Sequence, residues 1–292
     1  MTIKANNPEL SSWIDVNQKS DFPIQNLPFG VFSINKSSAR IGVAIGNEIL
    51  DLKELFELGY LANLGFQLAD FDNCYLNDMM IHGKLATRKL RNRISDLLNS
   101  ESTELKNNIE DVKRVISSQE DATMHLPVKI GDYTDFYSSE QHAYNVGCMF
   151  RDPNNALLPN WKHIPVGYHG RSSSIIISDT PVHRPKGQQK PDENSPPVFG
   201  PCKLFDFELE MGFITYQGKE LGEHITTKEA DDYIFGMCLF NDVSARDIQK
   251  WEYVPLGPFL GKNFASSVSP WVVTMEALEP FRTSGPNQDT AV

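Results

Sequence analysis

Glu208 and Glu210 stand two residues apart in the run Phe205-Asp206-Phe207-Glu208-Leu209-Glu210-Met211. On an extended strand this spacing puts both carboxylates, with Asp206, on one side and Phe205, Phe207, Leu209 and Met211 on the other. Taken alone, the pattern describes a half-exposed strand with a solvated acidic face. Two more acids stand out: Asp135, preceded by Asp132 and lying between Tyr133 and Tyr137, and Asp242, closing the almost wholly apolar run Phe235-Gly236-Met237-Cys238-Leu239-Phe240-Asn241. An Asp after such a run also fits the N-cap of the segment that follows. If Asp135, Glu208, Glu210 and Asp242 converge, they make a four-carboxylate site, and carboxylate oxygens suit hard cations such as Ca2+ or Mg2+. Without a cation the four charges would repel one another and some would take up protons.

Three further features add polar chemistry. Arg246, Gln249 and Tyr253 recur at helical spacing and would share one face of a helix, away from Asp247 and Lys250. So placed, an Arg and a Gln can donate to a developing oxyanion, although the same spacing suits an ordinary amphipathic turn. Lys262 lies among small and apolar residues, followed by the hydroxyls of Ser266 and Ser267. A buried ammonium there needs an anion beside it, because burying an unpaired charge is costly. His142 follows Asp135 by seven residues, close enough in the chain to serve as a base near those carboxylates. A lone histidine is equally at home as a hydrogen-bonded structural residue.

The elements that must position these groups are mostly short strands. Residues 29–51 read as three strands, with Gly46-Asn47 as the turn between the last two. Apolar residues then recur at helical spacing at Leu85, Leu90, Ile94, Leu97 and Leu98, and again at Leu105, Ile109, Val112, Val115 and Ile116. Both read as packing helices, separated at residues 99–103. From residue 126 onward Gly, Pro, Tyr and Phe become frequent, and runs rich in β-branched and aromatic residues predict strands through the SPWVVTME segment at 269–276. Residues 183–201, with five prolines, read as a long polar loop of the kind that is usually functional or disordered.

Composition narrows the function classes. The chain has 292 residues, and 27 Lys+Arg against 38 Asp+Glu give a formal net charge of −11. That balance argues against a nucleic-acid or anionic-membrane partner, since both need a cationic face. No apolar run approaches the ~18 residues that cross a bilayer, and the first residues carry no apolar signal segment. The expected location is therefore cytoplasmic. Cys74, Cys148, Cys202 and Cys238 form no CxxC pair, so neither a zinc ribbon nor a disulfide scaffold is indicated.

Four strings together resemble the fumarylacetoacetase family: DYTDFYSSEQHAYNVGCMFR at 132–151, VGYHGRSSS at 166–174, PPVFGPCKLFDFELEMGF at 196–213 and the run from Phe235 to Val273. Residues 1–125 resemble its smaller N-terminal domain. The resemblance implies a mostly β (α+β) fold. A small SH3-like N-terminal barrel with helices over 1–122 would precede a mixed β-sheet roll over 123–292, incomplete at its C-terminus. It implies a homodimer acting on a small diketo acid: hydrolysis of a carbon–carbon bond in 4-fumarylacetoacetate to fumarate and acetoacetate, the last step of tyrosine and phenylalanine breakdown.

Matched position by position, the resemblance makes Asp135, Glu208, Glu210 and Asp242 ligands of Ca2+ and/or Mg2+. Lys262 and Ser266 join Asp242 around a second cation, Ser266 standing where a threonine is expected. His142 becomes the general base; Arg246, Gln249 and Lys262 stabilise the oxyanion; Tyr137, Arg151, Tyr168, Gln249 and Tyr253 contact substrate. Residues 286–292 match a surface stretch of the family, whose large domain continues further and supplies a glutamate that orients the histidine and a Gly-Thr pair for substrate. Two other readings stand beside this one: a related acylpyruvate hydrolase or decarboxylase, and a truncated, inactive metal-binding remnant.

Overall fold

A computed structural model describes residues 3–285, so the matched tail at 286–292 lies outside the described residues. The chain forms two compact units. The first comprises residues 3–129, Met211–Phe240 and Val268–Arg282; the second comprises Ile130–Glu210, Asn241–Ser267 and residues 283–285.

The first unit is organised by a five-stranded antiparallel sheet in the order Ile116–Ser118, Glu48–Asp51, Arg40–Ile45, Phe29–Ile34, Ala122–His125. The two strands on either side of Gly46 pair Val43 with Leu50 and Ile45 with Glu48. Gly46 adopts a φ of +56°, a left-handed conformation that glycine takes without the Cβ clash other residues meet. Phe32, Ala44, Ile49 and Trp271 make one buried cluster of this unit, with Phe22, Ile34 and Met124 packed against it.

Five helices take the place of the two expected between residues 53 and 118: Leu52–Glu57, Leu68–Phe71, Asn77–Ile81, Gly83–Leu98 and Ile109–Val115. Leu90, Ile94, Leu97, Leu98, Leu105 and Val115 are buried, but Leu85 and Ile109 are exposed at the starts of their helices, and Ile116 begins a strand. The SPWVVTME segment is only briefly extended, at Val273–Thr274. Thr274 then caps the short Met275–Leu278 helix, its hydroxyl accepting from Ala277 N at 3.2 Å. Among the described residues no helix is long and apolar enough to cross a membrane.

In the second unit, Thr134–Phe136 pairs antiparallel with Gly167–His169, and Phe205–Asp206 with Ser244–Ala245. Two helices accompany them, Glu140–Phe150 and Arg246–Glu252. The region read as a long loop at 183–201 is instead a β-hairpin: Lys186–Gln189 pairs with Val198–Pro201. The buried Gln189 side chain donates to the carbonyls of Gly200 and Pro201 at 3.1 and 2.9 Å, which supplies the cohesion its polar sequence conceals.

Candidate active site

The acidic strand is turned the opposite way from the usual amphipathic arrangement. Extended structure breaks after Asp206 and resumes at Leu209–Thr215. The side-chain alternation persists across the break: Phe207 and Leu209 are 69% and 71% exposed, while Glu208 and Glu210 face inward. Burying a carboxylate demands compensation, and Glu208 receives it from both sides. Arg246 Nη2 and Lys262 Nζ each form a short ion pair with one of its oxygens. Burial pushes the Glu208 carboxyl up, but Lys262 and then Arg246 outweigh it and hold the group below its ordinary value.

Asp242 ends the Ile234–Asp242 strand. It accepts from Lys262 Nζ at 2.5 Å and from Ser266 Oγ at 3.1 Å. Desolvation is the largest influence on Asp242 and leaves its carboxyl raised despite the ammonium beside it. Lys262 is itself buried, yet the charges of Asp242 and Glu208 outweigh the desolvation and keep the ammonium more firmly protonated than usual.

Asp135, Glu210 and Asp242 each present a carboxylate oxygen, and the three lie within 4.8 Å of one another. Glu208 stands outside this trio, engaged by its two cations. Glu210 carries the electrostatic consequence. Burial first, then the charges of Asp135, Asp242 and Glu208, push its carboxyl up to about 8. A cluster of this kind is made of hard oxygen donors only, which is the donor set of Ca2+ and Mg2+.

Asp135 is held from two directions. Tyr133 and Tyr168 both donate their hydroxyls to Asp135 Oδ2, at 3.0 and 3.1 Å. Burial, followed by the neighbouring carboxylate charges of Asp135 and Asp242, raises both phenols, so both keep the proton they donate. Tyr168 was expected to touch substrate; its hydroxyl in this structure is directed at Asp135. Tyr133 was not singled out from the sequence. Its position two residues before Asp135 on an extended segment, hence on the same side, was the available signal.

The remaining groups lie around this centre. Arg246 donates from Nη1 to Gln249 Oε1 at 3.1 Å and from Nε to Asp206 Oδ2 at 2.9 Å, so the helix face anticipated from spacing does carry an Arg–Gln pair. Tyr253, the C-cap of that helix, packs its ring against Phe150 with centroids 5.5 Å apart. The neighbouring Arg151 directs Nε and Nη2 to the carbonyl of Ala156. Tyr137 donates to the carbonyl of Ala143 at 2.9 Å, and burial raises its phenol against the opposing influence of Arg151. The exposed His142 meets the ring of Tyr137 edge-on at 5.8 Å, and its own amide donates to the capping hydroxyl of Ser139.

Two family models match the chain. One, described as Fumarylacetoacetase N-terminal, covers residues 25–127, and one, described as Fumarylacetoacetate (FAA) hydrolase C-terminal, covers residues 133–287. The fumarylacetoacetase of Mus musculus is 54% identical over 279 residues, which is 95% of this chain and 67% of the mouse protein. The fumarylacetoacetase of Homo sapiens is 55% identical over 279 residues, again 95% of this chain and 67% of that protein. The chain thus spans about two thirds of the length of these relatives. Among solved structures, a fumarylacetoacetate hydrolase from Exiguobacterium antarcticum is 17% identical and covers 85% of this chain and 66% of its own, with a TM-score of 0.46.

Proposed function

The chain belongs to the fumarylacetoacetate hydrolase family, and from that membership we propose that it hydrolyses 4-fumarylacetoacetate to fumarate and acetoacetate with the help of a divalent cation. The observation that carries the proposal is the convergence of Asp135, Glu210 and Asp242 within 4.8 Å in a chain 55% identical to a fumarylacetoacetase.

The donor set fits a hard cation. Three carboxylate oxygens converge, and Glu210 is driven toward its neutral form when nothing offsets its neighbours. Asp135, Glu210 and Asp242 would hold Ca2+ or Mg2+, with Glu208, paired to Arg246 and Lys262, beside them and Lys262 and Ser266 bordering Asp242. When bound, such a cation supplies Lewis-acid polarisation of a substrate oxygen.

The chain's own residues carry the remaining steps. His142 takes a proton from water as the water oxygen bonds to the substrate carbonyl. Arg246, Gln249 and Lys262 donate hydrogen bonds to the alkoxide that develops there. Three N–H bonds of Arg246 already serve Asp206, Glu208 and Gln249, leaving two of its five for substrate. When the carbon–carbon bond breaks, its electron pair passes into the neighbouring carbonyl as an enolate, which takes a proton and leaves as acetoacetate. Tyr137, Arg151, Gln249 and Tyr253 orient the diketo acid. The family resemblance supports a homodimer in the cytoplasm, which sedimentation velocity and cell fractionation test.

The deciding experiment follows the ultraviolet absorbance of 4-fumarylacetoacetate over the purified chain. Absorbance is expected to fall, to stop falling when a chelator is added, and to resume when Ca2+ or Mg2+ is restored. An unchanged trace with the cation present would overturn the proposal. Faster turnover of an acylpyruvate in the same assay would move the chain to a related activity.

A further inference from the structure

Asp135 accepts hydrogen bonds from two tyrosine hydroxyls, and the fold is shaped to bring them there. Thr134–Phe136 and Gly167–His169 pair in a register that sets Asp135 directly opposite Tyr168. Directly opposed residues on an antiparallel pair project to the same face. Tyr133, two residues before Asp135, reaches that face as well. Two glycines allow the approach. A Cβ on Gly167 would lie 2.5 Å from the Asp135 carbonyl oxygen, and one on Gly170 would lie 1.9 Å from Tyr133 Cδ1. Gly170 also donates its amide to the Tyr133 carbonyl at 2.8 Å, fixing the backbone from which the ring projects. The segment Gly167-Tyr168-His169-Gly170 thus supplies one hydroxyl and admits the other.

We propose that Tyr133 and Tyr168 are positioning residues that lock the Asp135 carboxylate in a single orientation for a divalent cation. The inference rests on the cation reading above. A carboxylate accepts at roughly four lone-pair positions. Two donors on Oδ2 restrain the group's rotation and leave the rest of its accepting capacity for a cation within the trio, whose oxygens lie within 4.8 Å of one another. Groups that orient a ligand from behind are worth about 10–100-fold in metal affinity.

The test is calorimetric titration of Ca2+, and separately of Mg2+, into the full chain and into Tyr133→Phe, Tyr168→Phe and the double variant. Each replacement removes one hydroxyl and keeps the ring. Affinity is expected to fall by about 10-fold in each single variant and by about 100-fold in the double variant. Tyr216→Phe, which removes a buried hydroxyl hydrogen-bonded to Thr87, is expected to bind like wild type. Thermal unfolding of the cation-free proteins separates positioning from scaffolding. A lowered melting temperature with affinity within about twofold of wild type would overturn the positioning role and leave the cation reading intact. Failure of the wild-type chain to bind either ion would remove the cation reading itself.

Discussion

Lys262 Nζ stands 2.5 Å from Asp242 Oδ2, with both side chains buried and the same ammonium also paired to Glu208. One cation therefore serves two desolvated carboxylates. Replacing Lys262 with Met keeps an unbranched stem of similar length but leaves both acids without that compensation. Removing one member of a buried ion pair typically destabilises by about 3–5 kcal/mol. The urea midpoint of Lys262→Met is expected to fall by a corresponding amount at pH 7. The deficit should shrink toward pH 4, where Asp242 and Glu208 can be neutralised by protons. A variant as stable as wild type at pH 7 would show that the ion pair contributes nothing to holding the site.

Glu210 gives the cation-free chain one pH-dependent contribution to its stability. Its carboxyl sits at about 8 in the folded protein against an ordinary value of 4.5. Between these two values the folded chain holds a proton that the unfolded chain has lost. The unfolded state binds fewer protons there, so the Glu210 contribution to stability falls as pH rises from about 4.5 to about 8 and is level above that range. The same proton must leave when a cation binds. Calorimetry at pH 6.5 in two buffers of different ionisation heat should therefore detect proton release on Ca2+ binding, and Glu210→Gln should release about one proton fewer. Equal heats in both buffers for wild type would contradict the raised carboxyl.

The parts of this molecule that could be read from sequence are those whose reasons are local. The strands flanking Gly46 follow from alternating apolar residues and a residue free to adopt a positive φ. The Gly83–Leu98 helix follows from Leu90, Ile94, Leu97 and Leu98 at helical spacing. The direction of the acidic strand was not legible, because alternation defines two sides without saying which is inward. Here the decision is made by Arg246 and Lys262, 38 and 54 residues downstream of Glu208, whose charges make the acidic side the one that can be buried. The 183–201 hairpin was hidden for a similar reason. Its prolines suggest a loop, while the contacts that hold it, Gly187 against Ile248 and Gln189 against its partner strand, are tertiary. The sequence predicts four carboxylates, Asp135, Glu208, Glu210 and Asp242; three of them converge, while the engagement of Glu208 by Arg246 and Lys262 and the tyrosines behind Asp135 emerge only from side-chain geometry.

His142 offers a separation of chemistry from cation binding. It is exposed on the Glu140–Phe150 helix and contacts Tyr137, and it belongs to neither the trio nor its ion pairs. A positioned general base is worth about 100- to 10,000-fold in rate. His142→Ala is therefore expected to reduce kcat on 4-fumarylacetoacetate by at least about 100-fold, with calorimetric Ca2+ affinity unchanged. Full turnover by that variant would remove the imidazole from the mechanism, whatever the fate of the carboxylates.

Gly170 joins packing to the site most directly. An alanine methyl there would overlap the Tyr133 ring, with Cδ1 at 1.9 Å and Cε1 at 2.0 Å from the new carbon. The backbone on one side is tied by the Gly170–Tyr133 hydrogen bond, so the ring must move. Overpacking of this kind costs about 1–3 kcal/mol, and displacement of the ring takes its hydroxyl from Asp135 Oδ2. Gly170→Ala is thus expected to lose both stability in urea and Ca2+ affinity. Gly200→Ala, with nothing within 4 Å of the added carbon, is the matched control and should stay within about 0.5 kcal/mol of wild type. Combining Gly170→Ala with Tyr133→Leu relieves the overlap by removing the rigid ring. Such a pair should couple, so that the double variant is more stable than the sum of the two single losses while its cation affinity stays low. Strict additivity of the stabilities would mean that the glycine is not there to admit the tyrosine.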